Sequence, residues 1–289
     1  MALDPNYADA WSRLAGTLFL SVEKGYISGA KVIPRALACA EQATKLDPSY
    51  GWAWHWAGQC SLALDYDFVR AEPLLRKAVR LAPDAWQLRH NLACALWYHG
   101  RFDEAEANFR QAIREDPSSG FSNGQLGLIR ASRGHFADAL SSLGEWIRLQ
   151  PALPMGHQQR GEILWPLDRR EEAARDWLRC VELDGFASLT PEDAATLDTT
   201  LKQAGPDGFL RGLIGVLERR RAEGRFVSAY DLARLHAFAG NKPRALDHLE
   251  QAVDEHRPYT LNAKVHIAFR DFQDEPRYHA VLRRLKLEQ

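Results

Sequence analysis

Residues 91–117 read NLACALWYHGRFDEAEANFRQAIREDP. Leu92, Leu96, Phe109 and Ile113 lay out an apolar pattern at helical spacing. Small residues interrupt it at Ala93, Gly100, Ala105 and Ala112, and Asp116-Pro117 stops it. An isolated amphipathic helix gains nothing from such gaps. Two packed helices need them, because axes come within ~8–10 Å only where side chains are small. The stretch therefore predicts an antiparallel pair, helix A then helix B, with large side chains beside each close approach.

The pattern recurs along the chain. Prolines stand at 48, 83, 117 and 151, in steps of 35, 34 and 34 residues; another 34 reaches Gly185, and Pro5 lies 43 residues before Pro48. The alanine five residues before the stop appears as Ala43, Ala78 and Ala112, and the one twelve before it as Ala36, Ala71, Ala105 and Ala139. Gly58, Ala93, Gly127 and Gly161 hold the small position of helix A. One pair cannot bury its apolar face alone, so pairs of this period stack into a solenoid.

Leu92, Ala93, Ala105, Phe109, Ala112 and Pro117, with Trp11, Leu14 and Ala15 in an earlier helix A, form the pattern W-x2-L-G/A…A-x3-F/L-x2-A-x4-P. This resembles the tetratricopeptide repeat, which has a period of about 34 residues. The resemblance implies an all-α chain: an α-solenoid of antiparallel helix pairs, wound as a superhelix and closed by a C-terminal capping helix. Repeats 1–5 span 1–187, at 8–50, 51–85, 86–119, 120–153 and 154–187. The first carries an insert near 21–34. The fifth departs from the pattern, with Arg160 at an apolar position and Pro166 late in helix A. Residues 188–225 read as a degenerate pair, with helices near 191–204 and 206–223. A last repeat covers 226–259 and a helical cap covers 260–289, where Tyr278, Val281, Leu282 and Leu285 share one face.

A narrower resemblance rests on the insert ending in PRALACAEQATKLDP, on DYDFVRAEPLLRKAV, and on the closing run RFVSAYDLARLHAFAGNKPRALDHLEQAVDEHRPYTLNAKVHIAFRDFQDEPRYHAVLRRLKL. Together these are similar to the C-terminal region of bacterial multidomain regulators. Those proteins place a winged-helix, kinase or cyclase domain ahead of such repeats. Here Ala268-Phe269 replaces the first Pro-Arg of the group's closing motif. The chain opens on ALDP, which resembles the tail of a helix B, so it reads as a fragment of such a regulator.

The remaining composition narrows the functions. The chain has 289 residues, 46% hydrophobic and 26% charged, with net charge −1. Near-neutrality gives no field for a polyanion. The run ERRRAEGR at 218–225 suits a solvated helix end, so no direct nucleic-acid binding is expected. No apolar stretch approaches the ~20 residues of a membrane span, and no membrane insertion is expected. Cys39, Cys60, Cys94 and Cys180 lack paired spacing and read as free thiols in a reducing compartment. A cytoplasmic location follows, or a periplasmic one if a transmembrane helix precedes the chain. Phosphate-loop, zinc-protease, nucleophile-elbow and dinucleotide motifs are absent. The expectation is no enzyme, no cofactor and no metal.

The solenoid implies a binding face. On a helix turning about 100° per residue, positions 2, 5, 6, 9 and 13 of helix A share one side. That set is Trp52, His55, Trp56 and Gln59 in repeat two, and Gln87, His90, Asn91, Cys94 and Tyr98 in repeat three, with Trp97 beside them. Phe121, Gln125 and Leu128 continue it in repeat four. Met155, Gln158, Gln159 and Glu162 continue it in repeat five, with Trp165 at the flank. The result is an aromatic and amide groove with few charges, suited to a protein or peptide partner. The competing reading is packing between repeats, where Trp11 and Trp54 belong. His55 and His90 have no carboxylate or thiol at ligand spacing to complete a metal set. Asn91 fits a carboxylate clamp, but no lysine accompanies it. The expected role is a non-catalytic protein-binding scaffold, the sensory or interaction region of a regulator. Oligomerisation as a homodimer and small-molecule sensing by the aromatic groove are the alternatives.

Overall fold

The computed structural model describes residues 5–23, 29–186, 189–256 and 258–288. Among them every regular element is a helix. The chain divides into two compact units. The first joins Met1–Asp116 with Ala252–Lys264 and His279–Gln289; the second joins Pro117–Gln251 with Val265–Tyr278.

The first unit holds α1 (Ala8–Glu23), α2 (Gly29–Leu46), α3 (Gly51–Asp65), α4 (Phe68–Leu81), α5 (Trp86–Tyr98) and α6 (Phe102–Glu115). Each odd-numbered helix packs on the next, and α2 on α3 and α4 on α5 join the pairs. The insert of the first repeat is largely not a loop. α1 continues to Glu23 and α2 begins at Gly29, so the extra residues lengthen both helices. Residues 24–28 lie outside the described residues.

The second unit holds α7 (Gly120–Ser132), α8 (Phe136–Leu149), α9 (Pro154–Leu164), α10 (Arg170–Glu182), α11 (Pro191–Ala222) and α12 (Ala229–Phe238). α13 (Lys242–Asp254) follows. α11 is broken at Gly205, whose φ of 67° and ψ of −171° no helix contains. A 3₁₀ turn at Trp165–Leu167 ends α9 where Pro166 removes a donor.

Two recurring details explain the period. Ala36, Ala43, Ala71, Ala78, Ala105, Ala112 and Ala139 are all completely buried. A Cβ added to Gly58, Gly127 or Gly161 would stand 3.3, 3.0 and 3.1 Å from the carbonyl oxygens of Ala71, Ala139 and Ala173. Small residue therefore meets small residue at each A–B crossing. Between the helices, the left-handed turn position falls at Tyr66, Gly100, Gly134 and Asp168, with φ of 53°, 76°, 83° and 59°.

The C-terminal region is only partly α-helical. It runs as 3₁₀ segments Pro258–Lys264 and Ile267–Phe272, then α14 (Pro276–Arg284). Nor does it serve only as an end cap. Within the first unit Pro258–Lys264 packs on α5, and within the second Ile267–Phe272 packs on α9 and α12. In the second unit the Ser132 hydroxyl of α7 also donates to the Val265 carbonyl at 2.9 Å.

Candidate functional site

In the first unit, α3 sets Trp52, His55, Trp56 and Gln59 at i, i+3, i+4 and i+7, so they form one stripe. His55 lies edge-on to both indoles, 5.6 Å from Trp52 and 4.7 Å from Trp56. Trp56 is anchored on α1: its ring lies 5.8 Å from Phe19, and a Cβ on Gly16 would meet it at 2.7 Å. The Asn91 amide of α5 donates to the His55 ring at 3.4 Å, tying the two A helices together. Around that bond Trp52, Trp56, Gln59, Gln87 and Tyr98 remain partly exposed.

Two residues expected on this face also take part in packing. His90 meets Phe109 of α6 edge-on at 5.2 Å, so it belongs to the A–B packing. Trp97 is only 1% exposed. The chain's own 3₁₀ segment Pro258–Lys264 packs on α5 within the same unit. His55 is buried as well. Burial drives the His55 ring down to about 3, helped by His90, and drives His90 to about 4. Both imidazoles are neutral near pH 7, and the face offers aromatic rings, amides and uncharged ring nitrogens.

In the second unit the expected groove residues mostly serve packing and ion pairing. Trp165 stacks on Trp177 at 5.1 Å and donates its indole N–H to the Phe238 carbonyl at 3.1 Å. Phe121 lies against Trp146, and Gln125 is buried. Gln158 is best oriented with its amide oxygen toward the Arg234 guanidinium, 2.6 Å away. Glu162, Arg234 and His266 form a buried network joined by Asp231. The Ala268 amide donates to His266 Nδ1, so Nε2 carries the proton and donates to Glu162 at 3.0 Å. Burial would raise the Glu162 carboxyl, yet Arg234 and His266 hold it below its usual range. Arg160, noted as an oddity in the sequence, makes a two-point pair with Asp176 at 2.6 and 2.7 Å, and His157 adds a third contact. The signal for these networks was present: five polar side chains crowd α9 between Met155 and Ile163.

A cleft of about 330 Å³ opens beside Arg160, Arg169 and Arg175. Each guanidinium is already paired, with Asp176, Glu172 and Glu171 respectively.

Residues 90–154 match the tetratricopeptide repeat family. Over that stretch the chain carries tetratricopeptide repeats. Anaphase-promoting complex subunit 3 of Schizosaccharomyces pombe is 22% identical over 191 residues, 66% of this chain. The chain spans only 26% of that relative's length. The tetratricopeptide repeat protein TTC0263 of Thermus thermophilus superposes with a TM-score of 0.54 at 20% identity, covering 66% of this chain and 96% of its own. PilF of Pseudomonas aeruginosa superposes with a TM-score of 0.51 at 15% identity, covering 93% of this chain and 97% of its own. These likenesses establish the fold: all-α, built of tetratricopeptide helix pairs. No helix among the described residues is long and apolar enough to cross a membrane.

Proposed function

We propose that this chain is a non-catalytic scaffold that binds a protein or peptide segment on the α3–α5 face of its first unit. We further read it as the sensory or interaction region of a larger bacterial transcriptional or signalling regulator, a reading supported by the sequence resemblance of its insert and closing run. The observation that carries the binding role is the Asn91–His55 contact. It aligns two A helices so that Trp52, Trp56, Gln59 and Gln87 present half-exposed rings and amides side by side. Such rings give large contact area at low entropic cost, and the amides can pair with a peptide backbone. With both imidazoles neutral, the face favours a partner segment that is apolar or uncharged where it docks.

A displayed random-peptide library selected on the whole chain tests this. Binders should lose about 2 kcal/mol, or roughly thirtyfold in affinity, with Trp52→Ala, while helical circular dichroism stays unchanged. Binders indifferent to both Trp52→Ala and Gln59→Ala would move the interaction off this face. A concentration-dependent mass abolished by Trp52→Ala would instead assign the face to self-association.

A further inference from the structure

Three side chains of the second unit converge without any sequence motif announcing them. Glu218 lies in the last turns of α11, His236 in the last turn of α12, and His248 in the middle of α13. Their ligand atoms all fall within 4.8 Å of one another. Glu218 Oε1 stands 3.1 Å from His236 Nε2 and 3.9 Å from His248 Nε2. The two imidazoles stack with ring centres 5.3 Å apart and planes 14° from parallel. Both ring nitrogens of His248 are shielded from solvent, and Gln251 is the polar neighbour on its own helix.

We propose that Glu218, His236 and His248 form a three-ligand site for a divalent transition metal of the zinc class, with its fourth position open to water. Zinc binds imidazole and carboxylate at about 2.0–2.2 Å, which puts tetrahedral ligand atoms roughly 3.3 Å apart. The observed separations need only small side-chain adjustments to match. Two imidazoles and one carboxylate suit zinc, nickel or copper, whereas magnesium and calcium prefer all-oxygen sets. The Glu218 side chain is 41% exposed, which gives the ion an entry path. The nearby Arg221 guanidinium is turned to the Val227 carbonyl at 2.6 Å. Its charge tempers affinity without occupying the site. A bound ion would tie α11, α12 and α13 together.

The test uses the whole chain, stripped with chelator and titrated with zinc chloride alone. The expected result is saturable zinc binding with a raised melting temperature, not reproduced by magnesium chloride. Cobalt should give the visible absorption of a tetrahedral site. Glu218→Gln and His248→Ala should each weaken zinc about tenfold or more and abolish the cobalt band. Glu218 is half-exposed, so its variant folds whatever becomes of the buried histidine. Absence of saturable zinc binding overturns the proposal. So does equal zinc affinity in the parent chain and in both variants, which would put the metal on the chain's other histidines.

Discussion

His55 and His90 carry the first consequence at the residue scale. Both are held neutral by burial, at about 3 and about 4, whereas in an unfolded chain each titrates near 6.5. Below pH ~6.5 the unfolded state takes up protons that the folded state refuses. Stability is therefore complete above that pH and falls as pH drops toward the folded values, by up to about 1.4 kcal/mol per pH unit for each ring. Burial lowers His266 too, which acts in the same direction. Glu162 is held below its ordinary value by Arg234 and His266 despite burial, so its contribution is lost only at lower pH. Urea unfolding at about pH 7 and about pH 5 should show a marked loss of stability on the acid side. Replacing His90 by Phe, which suits its contact with Phe109, should flatten that slope. A stability unchanged between the two pH values would mean that these rings are solvated.

The helices show what was legible in the sequence and what was not. Crossing points could be read because the backbone itself demands small residues there, and Ala71, Ala105 and Ala139 sit fully buried at the expected positions. Which side of helix A stays open could not be read from periodicity, because that depends on what lies over it. Residues 258–272 form 3₁₀ turns with no 3.6-residue pattern, so nothing in their sequence announced that they return to α5 and α9. Trp52 belongs to the groove positions and Trp97 stands beside them, and of the two only Trp52 keeps solvent contact. The two substitutions should part company accordingly. Trp97→Ala removes a fully buried indole and should cost about 3–5 kcal/mol of stability, measured by chemical denaturation. Loss of peptide binding by a Trp97→Ala protein of parental stability would return Trp97 to the binding face.

For the molecule as a whole, the returning segments change how stability is distributed. A simple repeat array sums nearest-neighbour terms. Here the first unit also contains residues more than a hundred positions downstream, Ala252–Lys264 and His279–Gln289. Tyr66 marks the join: its hydroxyl donates to the Val253 carbonyl at 3.1 Å and its ring lies over His256 with planes 5° apart. Tyr66 occupies the left-handed turn position, at φ 53°, that glycine fills in the next two repeats. That conformation costs a bulky side chain about 1–3 kcal/mol, and the contacts to Val253 and His256 offset it. Lys264 in turn donates to the Leu287 carbonyl at 2.7 Å, fixing the end of the segment within the same unit. A fragment of residues 1–116 keeps all six helices but loses every one of these contacts. It should therefore remain helical by circular dichroism, melt well below the full chain and show Trp97 in a more polar environment by fluorescence. A synthetic peptide of residues 252–264, added in trans, should bind the fragment, raise its melting temperature and shift the emission back. Trp97→Phe in the fragment should remove the fluorescence change but not the thermal one. A fragment as stable as the full chain, with no response to the peptide, would show that the segment rests on α5 without supporting it.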